Sequence, residues 1–462
     1  MTAAVLADFG STFTKVTLVE LGSGRLIGTG QSPTTVDTDV MRGFHAALQD
    51  ARSRVDEPVD LGPKRAASSA AGGLRVAAVG LVEDLTAAAA RQVALNAGAK
   101  VGLVLHGSLT AEDRAALIDY QPDVVLFCGG TDGGQAQLVL ANARMLAGAI
   151  ETHFIVACNR EIAAAVSHQL GDGGRRVEVV ANVMPQIGEL NVEPARAAIS
   201  EAFVRHVIRG KGLTTAPEFF RDVIMPTPEA VLQATRLVAE VAGDVAVVDI
   251  GGATTDVDSA TRELTGTPGV EGPLLPTLPV LRTVQGDLGL RSNAISVLDT
   301  DREWLVQRLD EATLGEATKR RCEDPGLIAD SRAEWNLDEA LATSCCYHAL
   351  TRHCGRLSVI SGPGQPARIR TDGPDLREVR LLIGTGGILV RSEAGEQVLR
   401  DALGRLEDRT LSPRNPAIAI DRHYVLAAAG LLADVDRDAA IGLVRGALLG
   451  EDANRMPVRI DR

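Results

Sequence analysis

Aromatic residues are scarce in this chain of 462 residues, at 3%, so small aliphatic side chains in quantity must fill the core. Cysteine is rare as well. The six present follow no short, regular spacing, which argues against a disulfide framework and for reduced thiols in the cytoplasm. Apolar runs long enough to span a bilayer are missing. The N-terminus lacks a basic region and carries Asp8 where a signal peptide would be apolar. A cytoplasmic protein with no membrane partner is therefore expected. Basic charge is in deficit, with 47 Lys and Arg against 60 Asp and Glu, a net charge of −13. An acidic surface repels phosphate backbones, which excludes nucleic acid as a class of partner. Two familiar nucleotide motifs, G-x-x-x-x-G-K-[ST] and G-x-G-x-x-G, do not occur.

What is present is an ordinary globular balance, 45% hydrophobic and 23% charged, over a length that suits two or three domains. The first 30 residues read as β-hairpins, with an apolar run at 3–9, turn residues Gly10, Ser11 and Thr12, and an alternating run at 15–21. A helix is expected over 37–54 and short strands over 65–69 and 74–81. The rhythm then changes. Apolar runs at 101–105, 124–127, 153–157 and 177–181 alternate with helical patterns, which predicts βαβ units and a parallel sheet. Ligands of such sheets sit at the carboxyl ends of the strands. The loops at 106–108, 128–134, 159–160 and from 182 onward would form one rim. Gly129, Gly130, Thr131, Asp132 and Asn159 are its candidate ligand groups for a small molecule or a partner. The alternative is an ordinary strand-to-helix turn with Asp132 near a helix N-terminus.

Residues 194–242 read as helical, interrupted by Gly210 and Gly212. A strand is expected at 246–250, an irregular Pro- and Gly-rich loop over 262–283, helices over 294–354 and a buried strand at 379–383. A linker over 409–416 and a closing helical region follow. The domain reading is 1–83 as the first part of an N-terminal lobe, 84–192 as the parallel α/β segment and 193–244 as a helical connection. A second lobe with a helical subdomain spans 245–410, and a C-terminal helical region spans 411–462.

Three glycine-rich elements carry the chemistry. Asp8-Phe9-Gly10-Ser11-Thr12 and Asp249-Ile250-Gly251-Gly252-Ala253-Thr254-Thr255 each end a buried strand in Asp, then x-Gly, then small or hydroxyl residues and a return strand. Glycine lets backbone N–H groups approach phosphate oxygens, and hydroxyls add hydrogen bonds. A carboxylate serves such a site by holding Mg²⁺, usually through water. In the third element, a strand runs into Gly384-Thr385-Gly386-Gly387, where bare backbone can lie against a ribose or a planar base.

In this order the elements resemble the phosphate-one, phosphate-two and adenosine motifs of the actin, heat-shock chaperone and sugar-kinase superfamily. The resemblance implies an α/β fold of two ribonuclease-H-like lobes around an ATP cleft, with the parallel segment added in the N-terminal half. It implies Asp8 and Asp249 facing Mg²⁺, and Gly10, Ser11, Thr12, Thr14, Lys15, Gly251, Gly252, Ala253, Thr254 and Thr255 around the phosphates. Gly384, Thr385, Gly386 and Gly387 would take the adenosine. Lys15 either neutralises phosphate or solvates its strand. Glu229, just before the second hairpin, is a candidate water-activating acid or simply a first-turn helix residue. Asp287, in a Gly-Asp-Leu-Gly stretch at 286–289 that resembles the loop opening the chaperones' helical subdomain, is a second candidate.

A closer resemblance is to the MutL or GlmL family, accessory components encoded beside glutamate mutase that share only a name with the mismatch-repair protein. It rests on the stretches at 67–74 and 127–134, Asn182-Val183-Met184-Pro185, Met225-Pro226-Thr227-Pro228 and the Asp249 hairpin. It implies an ATP-dependent reactivating or assembly factor, with an adenosylcobalamin-dependent mutase as partner. A small-molecule kinase and a non-catalytic nucleotide-binding scaffold are the rival readings. The cluster Cys345, Cys346, His348, His353 and Cys354 is read as a structural helix, because its two helix faces point apart and a metal needs convergent ligands. Trp304 and Trp335 are read as core or interface residues. Oligomeric state is left open.

Overall fold

The computed structural model describes residues 1–55, 57–70, 73–172, 174–205, 213–262, 270–361 and 367–450. Ala71 and Gly72 of the 67–74 motif, Gly210, Gly212, part of the 262–283 loop and the last twelve residues of the expected C-terminal region lie outside them.

The first sheet grows from the opening hairpins. Strands β1 (Thr2–Phe9), β2 (Phe13–Glu20) and β3 (Leu26–Pro33) are antiparallel neighbours, and β4 (Asp60–Ser68) returns parallel to β1. The chain then leaves this sheet. Strands β5 (Arg75–Val79), β6 (Lys100–Leu105), β7 (Val124–Gly129), β8 (His153–Cys158) and β9 (Val177–Val179) form a separate parallel sheet in the order β6-β5-β7-β8-β9. With the boundary read at residue 83, β5 would have belonged to the first lobe. It is instead an inner strand of the inserted sheet, because its run Val76–Val79 is buried on both faces.

Strand β10 (Val223–Pro226) rejoins the first sheet beside β4. The sequence hid it inside a helical stretch. It is four residues long and ends in Pro226, which an edge strand tolerates. The first sheet thus has the order β3-β2-β1-β4-β10.

The second lobe repeats this plan. Strands β11 (Val245–Ile250) and β12 (Thr255–Ala260) form a hairpin. After the short β13 (Val270–Glu271), β14 (Val280–Gln285) pairs antiparallel to β12. Strands β15 (Arg356–Ile360) and β16 (Arg368–Asp372) join β13 in a small three-stranded sheet. Strand β17 (Leu381–Thr385) lies parallel to β11, and β18 (Ala417–Ile420) lies parallel to β17. The order β14-β12-β11-β17-β18 matches that of the first sheet, strand for strand. The expected α/β fold of two ribonuclease-H-like lobes with an added parallel segment is the observed one.

Helices Thr227–Ala242 and Val425–Leu432 cross between the lobes. Their contact is so close that a Cβ on Gly430 would lie 1.9 Å from the carbonyl oxygen of Ala230; only glycine permits that approach. Leu6, Ala67 and Met225 of the first lobe share one core with Val247 and Ile383 of the second through these helices. A second core runs from the far face of the first sheet, around Val5, Val16 and Phe44, into the inserted sheet at Val76, Leu126 and Ile155. No helix among the described residues is long and apolar enough to cross a membrane.

Candidate nucleotide site

Both glycine hairpins close in the same way. Asp8 lies opposite Lys15 and Asp249 opposite Asp256. The N–H of Gly10 donates to Phe13 O at 3.1 Å, and that of Gly251 to Thr254 O at 2.9 Å. Each leaves a two-residue tip, Ser11-Thr12 and Gly252-Ala253. Among the described residues nothing accepts a hydrogen bond from the four N–H groups of these tips. Unspent donors on paired tips suit an oxyanion.

The third element sits against the second hairpin. β17 places Thr385 beside Asp249, and Gly386 follows with φ +94°. Asp421 directly follows β18, and its carboxylate accepts from the N–H groups of Val425 at 2.8 Å and Leu426 at 3.2 Å. It thereby caps the second crossing helix.

These ends of strands open on a cleft of about 330 Å³. Asp8, Lys15, Asp249, Thr385, Gly386, Gly387 and Asp421 line it, with Thr12, Gly251 and Gly252 from the tips. Thr227 at the start of the first crossing helix donates to Asp8 Oδ1 at 2.6 Å. Lys15 Nζ lies 3.7 Å from the ring centroid of Tyr424, a cation–π contact. Tyr424 has φ +52°, an uncommon conformation for a non-glycine residue that clusters at functional sites.

Burial sets the charge state of the floor. Asp249 is pushed up to about 6 by loss of water, then by the neighbouring Asp256, with Lys15 opposing. Burial also raises Asp8 and Asp421; Lys15 and the Thr227 hydroxyl pull Asp8 back. With Arg291 paired to Asp338, the cleft sets Asp8, Asp249 and Asp421 against Lys15 and Arg391, an excess of acid that a further cation would balance. Among the described residues no group of three or more His, Cys, Asp or Glu could hold a metal directly. The carboxylates Asp8 and Asp249 would suit a Mg²⁺ held through water, which would supply positive charge beside an oxyanion.

The other wall is apolar. Leu290, Pro325, Ile328, Trp335 and Ile388 face the cleft, a surface on which a planar base can lie. Beside it Arg291 donates to both carboxylate oxygens of Asp338, at 3.0 and 2.9 Å.

Several expected residues lie elsewhere. The cleft wall does not include Gly10, Ser11, Thr14, Ala253, Thr254, Thr255 or Gly384. Thr14 shares a 3.0 Å hydrogen bond with Thr34, and buried Thr255 donates to Leu288 O at 2.8 Å. Glu229 is 4% exposed and turned away, bonded to Arg196 at 2.5 Å and Ser200 at 2.7 Å. It is a buried ion-pair partner. Asp287 is outside the cleft wall and bonds Arg352 at 2.7 Å, which holds its carboxyl below the usual range.

The rim of the inserted sheet uses its polar groups internally. Asp132 Oδ1 accepts from the Arg160 N–H at 3.0 Å and from Asn182 Nδ2 at 2.9 Å. Asn159 Oδ1 accepts from the N–H groups of Gly133 and Glu161 at 3.2 and 3.0 Å. Gly129, Gly130 and Gly133 take positive φ. Loops after three strands are thereby tied to one another through Asp132, Asn159 and Asn182. The cysteine–histidine stretch also fails to converge. His353 bonds Thr283 at 2.8 Å and Ser259 at 2.9 Å, while His348 faces Asp301 at 3.6 Å.

Sequence reasoning missed Thr227, Arg291, Trp335, Asp338, Asp421 and Tyr424. One signal was available for Asp421: like Asp8 and Asp249, it closes an apolar strand run. Trp335 carried none, since a lone Trp on a helix reads as core.

Comparison with known proteins follows this geometry. The sequence profile of the MutL protein family matches residues 4–448. Protein MutL of Clostridium tetanomorphum is 37% identical over 457 residues, covering 96% of this chain and 99% of the relative. Among solved structures, a glycerol dehydratase reactivase aligns at 11% identity and TM-score 0.34, covering 94% of this chain and 99% of its own. Xylulose kinase from Bifidobacterium adolescentis aligns at 12% identity and TM-score 0.32, covering 96% and 93%. With the profile spanning nearly the whole chain and the curated relative matched almost end to end, the chain belongs to the MutL protein family.

Proposed function

We propose that this protein is an ATP-dependent reactivating or assembly factor for an adenosylcobalamin-dependent mutase such as glutamate mutase, cycling on Mg²⁺-ATP. The observation that carries the nucleotide half is the convergence of Asp8 and Asp249, from hairpins 241 residues apart, on one cleft beside Gly386 and Gly387. Family membership and the role implied by resemblance support the partner half.

The residues divide the work. Thr12 and Gly252, which line the cleft, offer N–H groups to phosphate oxygens, with those of Ser11 and Ala253 next to them on the same two tips. Asp8, oriented by Thr227, and Asp249 hold the hydration shell of the cation. Lys15, steadied by Tyr424, balances charge at the phosphates. Bound Mg²⁺ supplies neutralisation of the charge on the phosphate oxygens. Trp335 and Ile328 cover the base. The crossing helices join the lobes through one core, so closure on nucleotide moves both sheets. A mutase bound more tightly in one lobe arrangement is shifted toward its open form.

The test is ATP hydrolysis with Mg²⁺, alone and with an inactivated mutase encoded beside this protein, with Asp249→Ala as control. Turnover that rises with the mutase, restores mutase activity and vanishes in Asp249→Ala supports the reading. Turnover indifferent to the mutase but dependent on an added small molecule replaces it with a kinase. Nucleotide binding without turnover, with light scattering that rises on ATP addition, replaces it with a scaffold.

A further inference from the structure

One buried cation stands behind the second hairpin. Arg282 on β14 is 4% exposed, and its Nη2 donates to Asp256 Oδ2 at 2.7 Å. It lies directly opposite Asp258, whose Oδ1 is 4.0 Å from Arg282 Nε. Asp256 in turn lies directly opposite Asp249. Residues opposite or two apart on paired strands share a sheet face. Asp249, Asp256 and Asp258 therefore crowd one face, and among the described residues Arg282 is the cation paired with the last two.

The guanidinium is fixed from outside the lobe. Its Nη1 donates to Leu95 O at 2.8 Å, at the end of helix Ala88–Asn96 in the inserted unit. The Asn96 side chain pairs with the open edge of β14, accepting from the Arg282 N–H at 2.9 Å and donating to Val280 O at 2.9 Å. The inserted unit is thus docked on the strand that holds Arg282.

We infer that Arg282 is a positioning residue of the nucleotide site, which holds the Asp256 carboxylate away from Asp249 so that Asp249 alone meets the metal–triphosphate. This rests on the Mg²⁺-ATP reading and deepens it by assigning a site residue that touches no ligand. Without Arg282, an uncompensated carboxylate stands one strand from Asp249 and repels the triphosphate. The end of helix Ala88–Asn96 then becomes the point at which the inserted unit supports the cleft.

The experiment is titration of the full chain with Mg²⁺-ATP by calorimetry. Arg282→Met is expected to weaken binding by about tenfold or more. Arg282→Met with Asp256→Asn is expected to return to within about threefold of the parent, since the charge opposite Asp249 is gone and the remaining Asp258 lies opposite Val247 instead. A merely structural role, through the Leu95 contact, is not rescued by that second change. Unchanged affinity in Arg282→Met, or no rescue in the double variant, overturns the inference. Should Arg282→Met fail to fold, Asp256→Asn alone decides. Affinity within about threefold of the parent supports an indirect role for the pair. Loss of binding makes Asp256 itself a site residue and overturns it. If the parent chain binds no Mg²⁺-ATP, the nucleotide reading fails and takes this inference with it. If the parent binds, any failure belongs to Arg282 alone.

Discussion

Gly386 lies so close to Asp249 that a Cβ added to it would come 2.8 Å from the Asp249 carboxylate oxygen Oδ1 and 2.3 Å from the carbonyl oxygen of Ile250. The glycine of one motif and the acid of another are thus packed as one unit. Gly386→Ala forces both a clash and a strained φ. Expected are a loss of about 1–3 kcal/mol in stability by urea denaturation and a fall of about tenfold or more in ATP affinity, since the shift falls on the acid proposed to face the metal.

The raised acid predicts a pH signature. Asp249 titrates at about 6 in the fold against 3.8 unfolded, so the folded state holds that proton more tightly. The fold is stabilised by protonation, and the penalty for ionising grows as pH rises from 3.8 through about 6. Asp249→Asn removes the penalty. The variant is expected to exceed the parent by ~1–3 kcal/mol at pH 7.5, with the advantage vanishing near pH 4, in denaturation series. His353, buried and depressed to about 3, acts in the opposite sense by losing stability as pH falls below its unfolded value. It is common to both proteins and cancels in the difference.

Glu229→Gln separates structure from chemistry. The buried carboxylate neutralises the half-buried Arg196 and accepts from Ser200. Removing the charge should lower stability by about 1–3 kcal/mol, moderated because Arg196 keeps Glu193 at 2.7 Å. ATP turnover should stay within about threefold of the parent. A drop of about a hundredfold or more, the range of lost acid–base catalysis, would restore Glu229 as the water-activating acid.

The two tryptophans report differently. Trp335 lines the cleft, whereas Trp304 is stacked between Arg308 and Arg405, whose guanidinium carbons lie 3.8 and 4.1 Å from its ring. In Trp304→Phe, the remaining emission should change saturably on ATP addition, and in Trp335→Phe it should not. Trp335→Ala should weaken ATP by roughly tenfold, about 1–2 kcal/mol of aromatic contact, measured by calorimetry. Equal affinity would remove the base from that wall.

The elements most legible in the sequence are those whose signal is local. The Asp-x-Gly hairpins are written as an apolar run, an acid and turn residues, so β1, β2, β11 and β12 follow from the chain alone. The inserted parallel sheet follows from strand runs alternating with helical ones. Short strands such as β10, β15, β16 and β18 were hidden. Four or five residues are too short to show a periodicity, whether mixed in character as in β15 and β16 or apolar as in β18, and only a neighbouring strand makes them strands.

The site divides along the same line. Sequence determined which backbone could approach a phosphate and which acids end buried strands, because glycine placement and strand patterning act over a few residues. Tertiary structure decided what faces the cleft. Thr14 and Thr255 sit on the hairpins yet turn inward to Thr34 and Leu288, since strand alternation fixes a side chain's face but only the assembled sheet says which face is open. Glu229 found Arg196, while Trp335, Asp421 and Tyr424 entered the cleft from elements distant in sequence from Asp8, the last two more than 400 residues away. No local spacing records such pairings. They exist because two five-stranded sheets of one topology close on a common helix pair and bring the carboxyl ends of their central strands to the same place.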